Sequence, residues 1–130
     1  MPVEFVQDDS RRRVAVTVGT EVTVDELIDV TRRQIAGGAW HYAVLYDASR
    51  LQYSISADEV SRVATFVKSQ SATLGPRGPV AIVAPADLTF GMARMYELRS
   101  DLDSRFVVVR DMQRAEQWLD AQQAAEMPRP

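Results

Sequence analysis

Polar side chains follow three predicted strands at the points where the strands end. They lie in Asp47-Ala48-Ser49-Arg50, in Pro85-Ala86-Asp87 and in Arg110-Asp111. In an open α/β sheet the carboxyl ends of parallel strands meet at one edge, where loops face solvent and functional groups gather. The sequence therefore predicts a candidate functional site at this carboxyl edge.

Aspartates at one edge could hold Mg²⁺ or accept a phosphoryl group, but a scattered set without ligand spacing is a weak motif. Asp87 and Asp111 are also placed as helix N-caps, a role that needs only a side-chain oxygen. The one histidine, His41, starts a strand at the opposite edge, so no serine has an imidazole base beside it. In Gly75-Pro-Arg-Gly-Pro79, prolines stand where a phosphate cradle needs free amides. We therefore expect no metal, no cofactor and no enzyme activity, with a metal-assisted enzyme as the least favoured alternative.

Two other sets of residues each allow a functional and a purely structural interpretation. Arg11-Arg12-Arg13 could clamp an anion or an acidic partner, although such a run is more typical of a solvated strand edge that resists aggregation. A second set could line a groove for an apolar small molecule or form an interface patch, because methionine packs adaptably. Its members are Phe90, Met92, Met95 and Tyr96. Helix packing in the core is the commoner explanation of that set.

Alternating and helical apolar periodicities predict the elements that position these residues. Capping boxes at Thr23-Val-Asp-Glu26 and Ser56-Ala-Asp-Glu59 begin the first two helices. Asp87 and Asp111 precede two more apolar stripes of helical spacing. The predicted strands are 3–6, 14–18, 42–46, 80–84 and 106–109.

The resulting order, β-β-α-β-α-β-α-β-α, predicts one α/β domain over residues 1–124 and a flexible tail over residues 125–130. Strands that alternate with helices favour right-handed crossovers onto a mostly parallel five-stranded sheet. The hairpin at the start adds one antiparallel edge strand, and four helices cover the sheet.

The composition of the chain restricts the partners that it is expected to bind and the cellular compartment in which it is expected to act. The formal net charge of −3 and the pI of about 5.1 disfavour nucleic acid, whose phosphates would be repelled. The chain has no cysteine, no apolar segment long enough to span a bilayer and no signal-peptide pattern, so we expect a cytoplasmic protein. Lys68 is the one lysine among 15 basic residues, a bias that indicates a GC-rich bacterial genome.

Several segments resemble a known family. Asp47-Ala48-Ser49-Arg50-Leu51 is similar to the Asp-Ser-Ser-Gly-Leu segment of anti-sigma-factor antagonists with the STAS fold. Three further segments resemble the SpoIIAA-like proteins, also described as STAS/SEC14-type domains. They are Gly78-Pro-Val-Ala-Ile-Val83, Phe90-Gly-Met-Ala-Arg-Met-Tyr96, and Phe106-Val-Val-Val-Arg-Asp111 with Ala115-Glu-Gln-Trp-Leu119.

The resemblance implies a STAS-like fold and a function without catalysis. By position Ser49 would accept a phosphoryl group from a kinase-like anti-sigma factor, with Asp47 beside it, and the phosphate would block binding. Ala48 and Arg50 depart from the serine and the glycine of the family segment. We expect a regulatory or protein-interaction module that uses Asp47, Ser49, Arg50 and Leu51 as a partner-binding loop.

The SEC14-like description implies an alternative, a domain that binds a lipid or another apolar small molecule. A homodimer is a further expectation, because an exposed edge strand or a methionine-rich helix can pair with its own copy.

Overall fold

A computed structural model of the chain describes residues 3–52, 56–84, 87, 91, 94–95 and 105–126. Five strands and three helices are defined over these residues. The strands are β1 (Val3–Asp8), β2 (Arg13–Val18), β3 (Ala43–Asp47), β4 (Val80–Val83) and β5 (Phe106–Val109). The helices are α1 (Val24–Ala36), α2 (Ala57–Leu74) and α3 (Met112–Glu126).

The strands form one sheet in the order β1-β2-β3-β4-β5. β1 pairs antiparallel with β2, whereas the three pairs from β2 to β5 are parallel. The α/β class and the mixed sheet with one antiparallel edge strand are therefore confirmed. Because β2 to β5 run in the same direction, all four strands end at the same edge of the sheet.

Of the four predicted helices, three are defined in the described residues. The third predicted helix, on residues 87–102, lies mostly outside them, and the four residues described there are helical. The last helix continues through Glu126, and residues 127–130 are not described.

Both predicted capping boxes are present. The Thr23 hydroxyl accepts the Glu26 N–H and the Glu26 carboxylate accepts the Thr23 N–H, at 3.1 and 2.8 Å. Ser56 and Glu59 make the same reciprocal pair at 3.2 and 2.9 Å. These bonds satisfy amides that have no partner inside the helix, so α1 and α2 begin where the sequence predicts.

Helices pack on both faces of the sheet. Val14, Val16 and Val18 alternate along β2 toward the face that α1 covers through Val30. α2 packs against α1 through Val63 and Val67, with Trp40 and Val24 beside them.

On the other face, Ala115 and Leu119 of α3 pack against Ala43, Leu45, Ala81 and Val83. The small residues Ala43, Ala81 and Ala115 are at most 1% exposed. They let α3 lie close to the centre of the sheet.

Candidate functional site

The 47–51 loop, which begins with the last residue of β3, is anchored to the core at both of its ends. The Ala48 N–H donates to the Val83 carbonyl at 2.9 Å, and the Leu51 N–H donates to the Ala48 carbonyl at 3.2 Å. Ala48 is buried and Leu51 packs on the core of the α1 face. The next residue, Gln52, donates its N–H to the Thr20 carbonyl at 2.8 Å, so the 47–51 loop has a defined shape at the carboxyl edge.

The middle of this loop faces solvent. Ser49 and Arg50 are exposed, and Asp47 is half-buried. The Ser49 N–H donates to Asp47 Oδ1 at 3.0 Å, which closes an Asx turn. The loop thus presents a serine hydroxyl and a guanidinium outward on a backbone that one carboxylate holds in place.

Ala48 and Arg50 both fit the geometry of this loop. Ala48 is 8% exposed, so a serine there would need a buried partner for its hydroxyl. Arg12 is the one non-glycine residue with positive φ among those described, so Arg50 does not adopt the left-handed backbone that favours glycine. An arginine at position 50 therefore fits this loop without backbone strain.

The side chains of the other two aspartates at the carboxyl edge, Asp87 and Asp111, already have hydrogen-bond partners within the chain. Asp87 is helical and accepts a hydrogen bond from Arg110 Nη1 at 2.9 Å. Asp111 accepts the Arg114 N–H at 2.9 Å, the contact expected of a cap for α3. Within the described ranges, no three acidic or histidine side chains come together in a way that could hold a metal ion.

His41 is exposed at the opposite, amino edge of the sheet, as the sequence predicts. Its Nδ1 lies 3.0 Å from the Pro76 carbonyl oxygen, in the loop that precedes β4. It therefore lies at the far end of β3 from Ser49.

The arginine run is only partly solvated. Arg11 and Arg12 are exposed, but Arg13 is 6% exposed, so a fully solvated edge was the wrong interpretation for Arg13. Its Nη2 donates to Asp120 Oδ1 at 2.8 Å and to Gln123 Oε1. Arg13 points to the face that α3 covers, and no local pattern around residue 13 reveals that a distant helix brings a carboxylate there.

A second buried arginine also escaped sequence reasoning. Arg77 is 5% exposed, and its guanidinium donates to Gln34 Oε1 at 2.6 Å and to the Tyr46 hydroxyl at 3.3 Å. It also lies 5.6 Å from the centre of the Trp40 ring, within the range of a cation–π contact. Gln34 in turn donates to the Ala39 carbonyl at 2.8 Å. These contacts join α1, β3 and the loop before β4, which is a structural role.

The proposed apolar patch lies largely outside the described residues. Phe90, Met92 and Tyr96 are not described, and Met95 is helical and half-buried. Binding of an apolar ligand there stays a prediction.

Homodimer formation also stays a prediction. The edge strand β1 exposes 61% of Val6, and nothing in the described residues identifies what would cover it.

Comparisons with known proteins do not assign the chain to a family. No family model matches it, and no curated protein matches it. None of the helices in the described part of the chain combines the length and the apolar character needed to cross a bilayer.

Proposed function

We propose that this chain is a non-enzymatic regulatory module of STAS-like fold, which binds another protein through the 47–51 loop. The observation that carries the proposal is the loop itself, which is anchored to β4 and the core through Ala48 and Leu51 yet exposes Ser49 and Arg50. A preorganised exposed loop loses little conformational freedom when it binds a partner. In this proposal the module acts in the bacterial cytoplasm, and the implied partner is a kinase-like anti-sigma factor.

The surroundings of Ser49 suit a charge-controlled contact. A phosphoryl group on Ser49 would add roughly −1.5 to −2 charges. That charge would lie near the Asp47 carboxylate, which holds the Ser49 N–H. Repulsion from Asp47 and attraction to Arg50 would change the shape of the loop as well as its charge. A docked partner would be released by such a change.

The start of α2 extends the proposed surface. Gln52 and Ser56 are exposed, and Asp58 is exposed in the first turn of the helix. A partner that covers the 47–51 loop can therefore also contact the amino end of α2.

The test is capture of partners from a lysate of the source organism on immobilised chain. Ser49→Asp places a negative charge in the loop, and Thr65→Asp adds the same charge at an exposed position in the middle of α2. We expect a protein retained by the wild type and by Thr65→Asp to be depleted on Ser49→Asp. Equal retention on all three would contradict a role for the loop.

Phosphorylation is tested separately by peptide mapping of the chain isolated from its own cells. Ser10 and Ser69 are exposed serines that serve as matched controls. We expect phosphate on Ser49 and on neither control. If Ser49 is unmodified in cells that contain the captured partner, the phosphoryl switch is wrong even if the docking surface is right.

A further inference from the structure

A cleft of about 710 Å³ lies at the amino edge of the sheet, opposite the 47–51 loop. One wall is the hairpin turn with Arg11, Arg12 and Arg13, and the other is the end of α3 with Asp120 and Glu126. Arg13 is opposite Ala43 in the register of β2 and β3, which places it at the start of both strands. Three consecutive arginines thus line one concave surface.

Arg13 is buried in this cleft with incomplete hydrogen bonding. Its Nη2 is paired with Asp120 and Gln123, whereas Nε and Nη1 have no partner among the described residues. Buried donors in proteins nearly always have an acceptor from protein, water or ligand. Nε and Nη1 are closed off from solvent, so Arg13 acts on the cleft through its charge and not through a direct contact of these two nitrogens.

The acidic side chains of the cleft are already engaged. Asp120 is paired with Arg13, and Glu126 forms an ion pair with Arg105. Arg11 and Arg12 have no carboxylate within ion-pair distance in the described part of the chain. The Asp8 carboxylate accepts the Arg11 N–H at 3.1 Å and lies near the Arg11 charge, but it makes no direct ion pair with the guanidinium. The side-chain cations of the cleft without a direct ion-pair partner among the described residues are therefore Arg11 and Arg12, on the hairpin wall.

The hairpin wall is also preorganised. The Gln123 side-chain amide donates to the Arg11 and Arg12 carbonyls, both at 3.0 Å, which fixes the turn against α3. Arg12 has φ of 52°, in the left-handed region that arginine rarely adopts, and its guanidinium lies over the Tyr42 ring. A left-handed residue at the end of a short loop is common in hairpins, and here the Arg12 N–H also donates to the Asp9 carbonyl at 3.3 Å, which closes the turn.

We propose that this cleft binds a small multiply charged oxyanion, a molecule that carries phosphate or carboxylate groups. Arg11 and Arg12 would clamp the anion, since the planar guanidinium matches two oxygens at once, and Arg13 would add charge from the floor of the cleft. This site is independent of the proposed function, because it lies at the other edge of the sheet from Ser49.

The test is isothermal titration of the full chain with pyrophosphate and, separately, with citrate at low salt. These probes distinguish a phosphate from a carboxylate ligand. Arg11→Gln removes one clamp, and Arg12→Asn removes the other with a residue that tolerates positive φ. Arg62→Gln is the control, because Arg62 is exposed on α2 and does not line the cleft.

We expect saturable binding of at least one probe, weakened about fivefold or more by each cleft variant and unchanged in Arg62→Gln. Thermal unfolding of each variant confirms that it is folded. Absence of binding by the wild type up to about 10 mM of both probes overturns the proposal. Equal weakening in Arg62→Gln, or none in both cleft variants, also overturns it, because the anion would then bind elsewhere or without a site.

Discussion

Arg13 Nη2 lies 2.8 Å from Asp120 Oδ1, although the two residues are 107 positions apart in the chain. The pair joins the beginning of β2 to the last helix, and Arg13 contributes an almost fully buried side chain while Asp120 remains 65% exposed. This contact adds a buried polar interaction to the apolar packing of α3 against the sheet.

Loss of that carboxylate should lower the stability of the fold. Asp120→Ala leaves Arg13 Nη2 with Gln123 as its one remaining acceptor, so we expect the free energy of unfolding to fall by about 1–2 kcal/mol. Urea unfolding followed by circular dichroism measures the change.

Asp29→Ala is the matched control for this experiment. Asp29 is also helical and lies 3.5 Å from Arg33, but both side chains are more than half exposed. Exposed pairs of this kind contribute about 0.5 kcal/mol or less. Equal losses in the two variants would show that the Arg13–Asp120 contact does not hold α3 on the sheet.

Gly78 should tolerate no side chain. A methyl group at this position would overlap the backbone oxygens of His41 and Tyr42, which are not free to move as a flexible side chain is. We expect Gly78→Ala to lower the free energy of unfolding by about 2 kcal/mol or more. Thermal unfolding gives the measurement.

Gly91→Ala provides the comparison for Gly78→Ala. Gly91 is helical and a methyl group there would contact nothing within 4 Å. Alanine is favoured over glycine inside a helix by about 0.5–1 kcal/mol, so this variant should be neutral or more stable. A stable Gly78→Ala protein would mean that the loop before β4 does not pack on residues 41–42.

The capping box of α2 predicts one component of acid sensitivity. The hydrogen bond from the Ser56 N–H holds the pKa of Glu59 below its ordinary value of 4.5. A carboxyl group with a lowered pKa in the folded state stabilises the protein above its unfolded pKa, and this contribution is lost as the pH falls through the folded value.

The free energy of unfolding should therefore decrease more steeply between about pH 5 and pH 3 in the wild type than in Glu59→Gln. Chemical unfolding at several pH values tests this difference. Parallel pH profiles for the two proteins would contradict a role for the Glu59 charge in the cap.

The helices and strands of this fold could be predicted wherever they are determined by residues that are close together in the sequence. Thr23 with Glu26 and Ser56 with Glu59 are three residues apart, so the helix starts were readable from the sequence. Alternation of Val14, Val16 and Val18 predicted a strand with one apolar face. The strand order and the position of α3 depend on contacts between distant segments, which no local pattern contains.

The candidate site was predictable in position but not in its contacts. Asp47 and Ser49 follow a buried strand, so their place at the carboxyl edge came from the pattern alone. The burial of Ala48 and the negative φ of Arg50 explain why these residues fit, and the burial of Ala48 depends on a contact with β4 that the local sequence does not reveal. The burial of Arg13 was missed because its partners are on α3.

The affinity of the captured partner for wild-type and Ser49→Asp protein, measured by isothermal titration with Thr65→Asp as the charge-matched control, tests the proposed function most directly. We expect Ser49→Asp to weaken binding at least about tenfold and Thr65→Asp to stay within about twofold of the wild type. Equal affinity of the wild type and Ser49→Asp would contradict the proposal that this chain regulates a partner through the 47–51 loop.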